Sequence, residues 1–342
     1  MTKATKNHLL FAVAGLFALT AVGCVSEDST PSEPTRDASF VGYSNPDTKQ
    51  TTCGNCHVDV QAEWAQTKHA SAFVNAQATG HADDSCYRCH ATNGRTNGST
   101  DTTGGYFAVS ADAQRFYQDV QCEACHGAGA NHISAPGESQ PIPTFKVDNS
   151  YKNGCTACHN GARQPFAEQL AASRHGMMPN WEGAAGGCQV NCHTVWGAQT
   201  QMATRGPFLE MGLAPLTTTE APGLTCQLCH EPHDAVDNPA QIRAPYSLAA
   251  ASSSDSSTHI CGKCHSRGSQ PTSWNSTRGA HSAQFAVLMG TAGWRPASFG
   301  NFTGPARHGT MEGTCAVCHM STTELTTPAG AFAVQNTGHT FT

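Results

Sequence analysis

Seven copies of Cys-x-x-Cys-His punctuate the chain, at residues 53–57, 86–90, 122–126, 155–159, 226–230, 261–265 and 315–319. With 17 Cys and 18 His in 342 residues, random order would give about 0.04 copies, so this motif is what any fold must be built around. Two thiols three residues apart on a helical turn can each add to one vinyl group of a haem. The histidine beside the second thiol then lies under the iron as its proximal ligand. A structural zinc site needs four Cys or His ligands in a closed tetrahedron and gives no reason for a His after every second Cys. A disulfide framework has no use for the histidines at all.

The motifs therefore nominate thioether pairs at Cys53 and Cys56, Cys86 and Cys89, Cys122 and Cys125, Cys155 and Cys158, Cys226 and Cys229, Cys261 and Cys264, and Cys315 and Cys318. Their proximal ligands are His57, His90, His126, His159, His230, His265 and His319. "CQVNCH", with Cys188, Cys192 and His193, is an eighth site whose thiols stand one residue further apart. Eight haems use sixteen cysteines and leave Cys24.

The proximal histidines are spaced as a repeat. Intervals of 33 and 36 residues separate His57, His90 and His126, and intervals of 34 and 37 separate His159, His193 and His230. The wider CxxxCH motif falls on the middle place of the second triplet, which is a further reason to read it as a haem site. A third round starts at Cys261, marked by the Gln-Pro shared between "CTACHNGARQPF" and "CGKCHSRGSQPT". From His265 to His319 is 54 residues, against 69 and 71 between first and third sites of the earlier rounds, so this round has no middle haem. The expected layout is 3 + 3 + 2, with modules at 53–150, 151–258 and 259–342.

Nine further histidines lie outside the leader and the proximal set: His69, His81, His132, His175, His233, His259, His281, His308 and His339. So many in a chain of low charge read as distal ligands giving bis-histidine irons, each ring donating its other N–H to a carbonyl or water. His259, two residues before Cys261, is the one expected to be left over, and the pairing of the rest with irons is open.

Apolar residues make up 38% and charged residues 13% of the chain, below the usual values of about 45–50% and about 25%. Porphyrins would supply the missing hydrophobic volume. The leading "MTKATKNHLLFAVAGLFALTAVGC" reads as a secretory signal over 1–23, with Cys24 as a lipidated N-terminus and 24–52, rich in Ser, Thr, Pro and Asp, as a flexible tether. Haem is attached outside the cytoplasm, so an exported lipoprotein of the outer membrane, facing periplasm or cell surface, is expected. Loss of Lys3 and Lys6 with the leader takes the formal net charge from −6 to −8, which argues against nucleic acid as a partner.

From Cys53 to His132 the chain resembles the tetrahaem electron-transfer cytochromes of ammonia oxidation, and the related domain of hydroxylamine oxidoreductases and octahaem nitrite or tetrathionate reductases. The residues that carry it are "CGNCHVDVQAEWAQTKHA" with Trp64, His69 and Ala70, "CYRCHATNG" with "GGYF" beyond it, and "VQCEACHGAGANH" with Glu123, Gly127, Gly129 and His132. Ala128 stands where that family usually has Pro. The resemblance implies loops and short α-helices wrapped around a stacked chain of haems, with very little β.

Catalysis would need an open iron, whereas electron transfer needs closely spaced six-coordinate ones. Nine candidate ligands for eight irons favour an electron carrier over an enzyme. Its partners would be other redox proteins or cytochromes, an outer-membrane conduit or an extracellular acceptor. An octahaem reductase and a subunit of a cytochrome filament are the alternatives.

Overall fold

The computed structural model describes residues 34–94, 104–141, 154–161, 164–176, 224–233, 239–243, 259–266, 282–290, 307–326 and 332–342. The leader, Cys24, the CxxxCH site with Cys188, Cys192 and His193, and the candidate ligand His281 lie outside them. Residues Thr35–Thr342 form one unit.

Among the described residues no helix exceeds seven residues. In chain order they are α1 (Val58–Trp64), α2 (Ala72–Gln77), α3 (Asp84–His90), α4 (Cys122–His126), α5 (Ala130–Ser134), α6 (Phe166–Ala172), α7 (Cys226–Cys229), α8 (Gln284–Leu288) and α9 (Thr314–His319). Helices this short do not hold themselves in water; they persist because of what they pack on. Among the described residues sheet is confined to two antiparallel hairpins, β1 (Tyr43–Asn45) with β2 (Gln50–Thr51) and β3 (Thr323–Thr326) with β4 (Phe332–Asn336). A mostly helical and loop chain with little strand is what the resemblance implied.

The larger apolar cluster belongs to the first round: Phe40, Tyr43, Trp64, Ala70, Phe73, Ala91, Tyr106, Phe116 and Tyr117. Its polar centre is Asp119, only 2% exposed. The carboxylate accepts from the Tyr43 hydroxyl (2.9 Å) and the Phe73 N–H (2.8 Å), and pairs with Lys49 Nζ (2.9 Å). Asp119 holds a left-handed φ of +65°, which Asp tolerates better than most residues. That turn delivers the Val120 N–H to the His69 carbonyl (3.1 Å) and the Val120 carbonyl to Trp64 Nε1 (3.0 Å). One buried carboxylate thus fixes the loop that carries a candidate ligand.

The expected tether does not extend to residue 52. Phe40, Tyr43 and Thr51 are buried, and the Val41 and Gly42 N–H groups donate to the Glu123 carboxylate at 2.8–3.0 Å. Gly129 N–H donates to the same carboxylate (2.8 Å). Burial pushes the Glu123 carboxyl up against the opposing pull of these three donors. The composition of 24–52 suits a tether, but two aromatic anchors and the complementary Glu123 commit its second half to the core. Gly42 is required there: its φ is +58°, and a Cβ would stand 2.4 Å from the Phe116 carbonyl oxygen.

Asp119→Ala leaves a buried hydroxyl and a buried N–H without their acceptor. We expect it to lower the unfolding free energy by about 2–3 kcal/mol, measured by denaturant titration followed by far-UV circular dichroism. Asp112→Ala, at an exposed position, serves as the reference, within about 0.5 kcal/mol of the parent.

Candidate metal centres

Four of the described motifs close on themselves in the same way. The proximal histidine N–H donates to the first cysteine's carbonyl, at 3.0 Å for His57, 2.9 Å for His159, 3.0 Å for His230 and 3.0 Å for His265. This i to i+4 bond makes one helical turn, and side chains at i, i+3 and i+4 of such a turn share a face. Two thiols and one imidazole therefore point to one side. At α3 the turn is started by Asp83, whose carboxylate caps the Ser85 N–H at 2.9 Å.

The histidines share a protonation pattern. Nδ1 faces a carbonyl oxygen in His90 (Ala72, 2.8 Å), His126 (Pro141, 2.9 Å), His132 (Ser139, 2.6 Å), His230 (Ala240, 2.8 Å), His81 (Thr79, 3.0 Å) and His339 (Thr337, 3.0 Å). A carbonyl can only accept, so Nδ1 carries the proton and the lone pair is on Nε2. His233 Nδ1 does the same toward Glu231 Oε1 (2.9 Å), a carboxylate also held by Arg243 at 2.9 Å. The Gln164 side chain, from the repeated Gln-Pro, hydrogen-bonds His159. Burial lowers the proton affinity of His69, His126, His230 and His339, and takes His159 and His175 down to about 4. They are neutral at pH 7, the state that binds iron.

Five proximal imidazoles face a second imidazole. Ring centres are 6.3 Å apart for His57 and His132, 6.2 Å for His69 and His159, 6.1 Å for His126 and His233, 6.0 Å for His175 and His265, and 6.1 Å for His230 and His339. Two imidazoles bonded through Nε2 to one metal ion stand about 6 Å apart centre to centre, from two metal–nitrogen bonds of about 2 Å plus each ring's own half-width. The spacing fits a haem iron between each pair, and the Nδ1 protons of His126, His132, His230, His233 and His339 leave their Nε2 lone pairs free for it. Apolar surface beside the motifs fits too: Val58, next to His57, is 62% exposed and Val317, between Cys315 and Cys318, is 46% exposed. Among the described residues no imidazole faces His90 or His319, and neither His81 nor His308 faces a proximal ring.

The first cysteine of the first site meets the first cysteine of the last site in every round. Cys53 contacts Cys122, Cys155 contacts Cys226 and Cys261 contacts Cys315, each pair hydrogen-bonded thiol to thiol, which pushes the first member up and pulls the second down. The third round makes this contact without a middle site. Its neighbour His259 lies within 4.8 Å of both thiols, yet its nitrogens are engaged. Nδ1 accepts from the Cys261 and Gly262 N–H groups (3.2 Å each), and Nε2 donates to Thr314 Oγ1 (2.6 Å). Thr51 plays the same part in the first round, accepting from Gly54 N–H (2.9 Å) and contacting Cys122 Sγ (3.8 Å). His259 is a cap over two motif turns and has no lone pair to offer a metal. Motif spacing alone could not have shown this; its position two residues before Cys261, matching Thr51 before Cys53, is the signal that was available.

Known proteins resemble the chain in part. A family model described as cytochrome c554 and c-prime matches residues 52–127. C-type polyheme cytochrome OmcB of Geobacter sulfurreducens is 31% identical over 121 residues, 32% of this chain and 15% of that protein. C-type polyheme cytochrome OmcC of the same organism is 24% identical over 161 residues, 44% of this chain and 20% of that protein. The chain spans at most 20% of the length of these curated relatives. No solved structure matches. Motifs, geometry and matches together are those of a multihaem c-type cytochrome with covalently bound haem c. No helix among the described residues is long and apolar enough to cross a membrane.

His259→Ala is expected to leave haem content and the number of low-spin irons unchanged while lowering the melting temperature by several degrees, from a lost cap of about 1 kcal/mol. Pyridine haemochrome, electron paramagnetic resonance and a thermal scan check the three parts.

Proposed function

We propose that the chain is an octahaem c-type cytochrome that carries electrons and performs no substrate chemistry of its own. The observation that carries this reading is the set of five imidazole pairs at 6.0–6.3 Å. An iron held on both faces by imidazoles has no position for a substrate, and its ligands do not move when its charge changes. When bound, the haem supplies one-electron chemistry. The chain's own residues fix the rest: cysteines anchor, carbonyls from Ala72, Pro141, Ser139 and Ala240 orient the rings, and burial keeps water away. Bis-histidine ligation suits low potentials, hence transfer from periplasmic or quinol-linked donors to outer-membrane or extracellular acceptors. Lipid attachment at Cys24 would place the protein at the outer membrane.

One observation favours a second reading. His90 and His319 face no imidazole among the described residues, and an iron held on one side only could bind nitrite, hydroxylamine or tetrathionate. Protein-film voltammetry of the purified holoprotein separates the two. A carrier gives reversible one-electron waves that these substrates leave unchanged, and a reductase gives a catalytic current with one of them.

Glu231 should tune a single iron. Its carboxylate draws on the Nδ1 proton of His233 and so enriches the ring that faces His126. Glu231→Gln removes that charge and is expected to raise the potential of one haem, leaving the others in place; a redox titration followed in the visible spectrum reads it.

A further inference from the structure

We infer that successive rounds of the chain exchange axial histidines reciprocally, so that each junction between rounds is clasped by two irons. This rests on the bis-imidazole reading above and assigns the ligands within it. His69, of the first round, faces His159, the first proximal histidine of the second. In the opposite direction His233, of the second round, faces His126, the last proximal histidine of the first. The next junction repeats both moves: His175 faces His265, and His339 faces His230.

The sequence separations of these pairs support the pattern independently of any contact. The forward pairs are separated by the same number of residues, 90 from His69 to His159 and 90 from His175 to His265. The backward pairs nearly match, at 107 from His126 to His233 and 109 from His230 to His339. A chance scatter of histidines would not place both donors of both junctions at repeating distances. His132 differs, facing His57 of its own round, 75 residues before it.

Each exchanged ligand joins a haem anchored by cysteines of one round to a ring carried by the other. Two such links per junction, running in opposite directions, stop the rounds from sliding or separating, as a pair of crosslinks would. Within a round the thiol contacts Cys53–Cys122, Cys155–Cys226 and Cys261–Cys315 bring first and last sites together. The resulting order is first and third sites, fourth and sixth, seventh and eighth. The third round makes its thiol contact with no middle motif.

The test counts irons that leave the low-spin state in the holoprotein, by electron paramagnetic resonance normalised to haem content. His69→Ala and His159→Ala each perturb one iron, and the double variant also perturbs one, because both rings serve the same iron. His69→Ala with His57→Ala perturbs two. Two perturbed irons in the His69, His159 double variant would overturn the assignment. Where the alanine variants do not assemble, His69→Met retains a sixth ligand and marks one iron by its thioether charge-transfer band. That band must vanish when Cys155 and Cys158 are replaced by Ser and survive when Cys53 and Cys56 are; the reverse result would overturn the exchange.

Discussion

The proton on Nδ1 governs what the histidines of this chain can do. Wherever a backbone carbonyl or a carboxylate takes that proton, the Nε2 lone pair is left to face a metal, and His90, His126, His132, His230, His233 and His339 are all set this way. His259 is set the other way, with Nε2 donating and Nδ1 accepting. Among its described residues the chain has only short helices, and 38% of its sequence is apolar, so helix packing is a weak source of stability there. It places rings in register instead, and the rest of the polypeptide serves to hold those rings.

How that holding works is clearest around Asp119. The carboxylate organises Tyr43, Phe73 and Lys49, and the turn it occupies presents Val120 to His69 and Trp64. A polar hub in the first round therefore positions the ring that faces His159 in the second. Glu123 acts similarly between the α4 motif, the Val41–Gly42 strand entry and Gly129, just before the helix that carries His132. Both carboxylates are buried, and both tie a motif or a ligand to distant backbone.

The motif turns were legible because Cys-x-x-Cys-His is a fixed local spelling that one helical turn satisfies. The repeat was legible for the same reason, since intervals between those spellings survive without any knowledge of packing. Which ring faces which iron was not: the partners are 75 to 109 residues apart, and no local pattern encodes a contact of that range. The packed stretch from Phe40 to Thr51 was hidden because its anchors are two aromatics in a run of Ser, Thr, Pro and Asp. Asp119 was hidden because a buried carboxylate looks, in sequence, like any loop acid.

The central claim is that irons sit between histidines of different rounds. Anomalous diffraction from crystals of the holoprotein at the iron absorption edge tests it most directly, since it locates irons without reference to any model of the chain. The account predicts iron peaks midway between His69 and His159, His126 and His233, His175 and His265, and His230 and His339, with a further peak between His57 and His132. Peaks beside His126, His159, His230 and His265 whose opposite face is met by water, methionine or a histidine of the same round would contradict it.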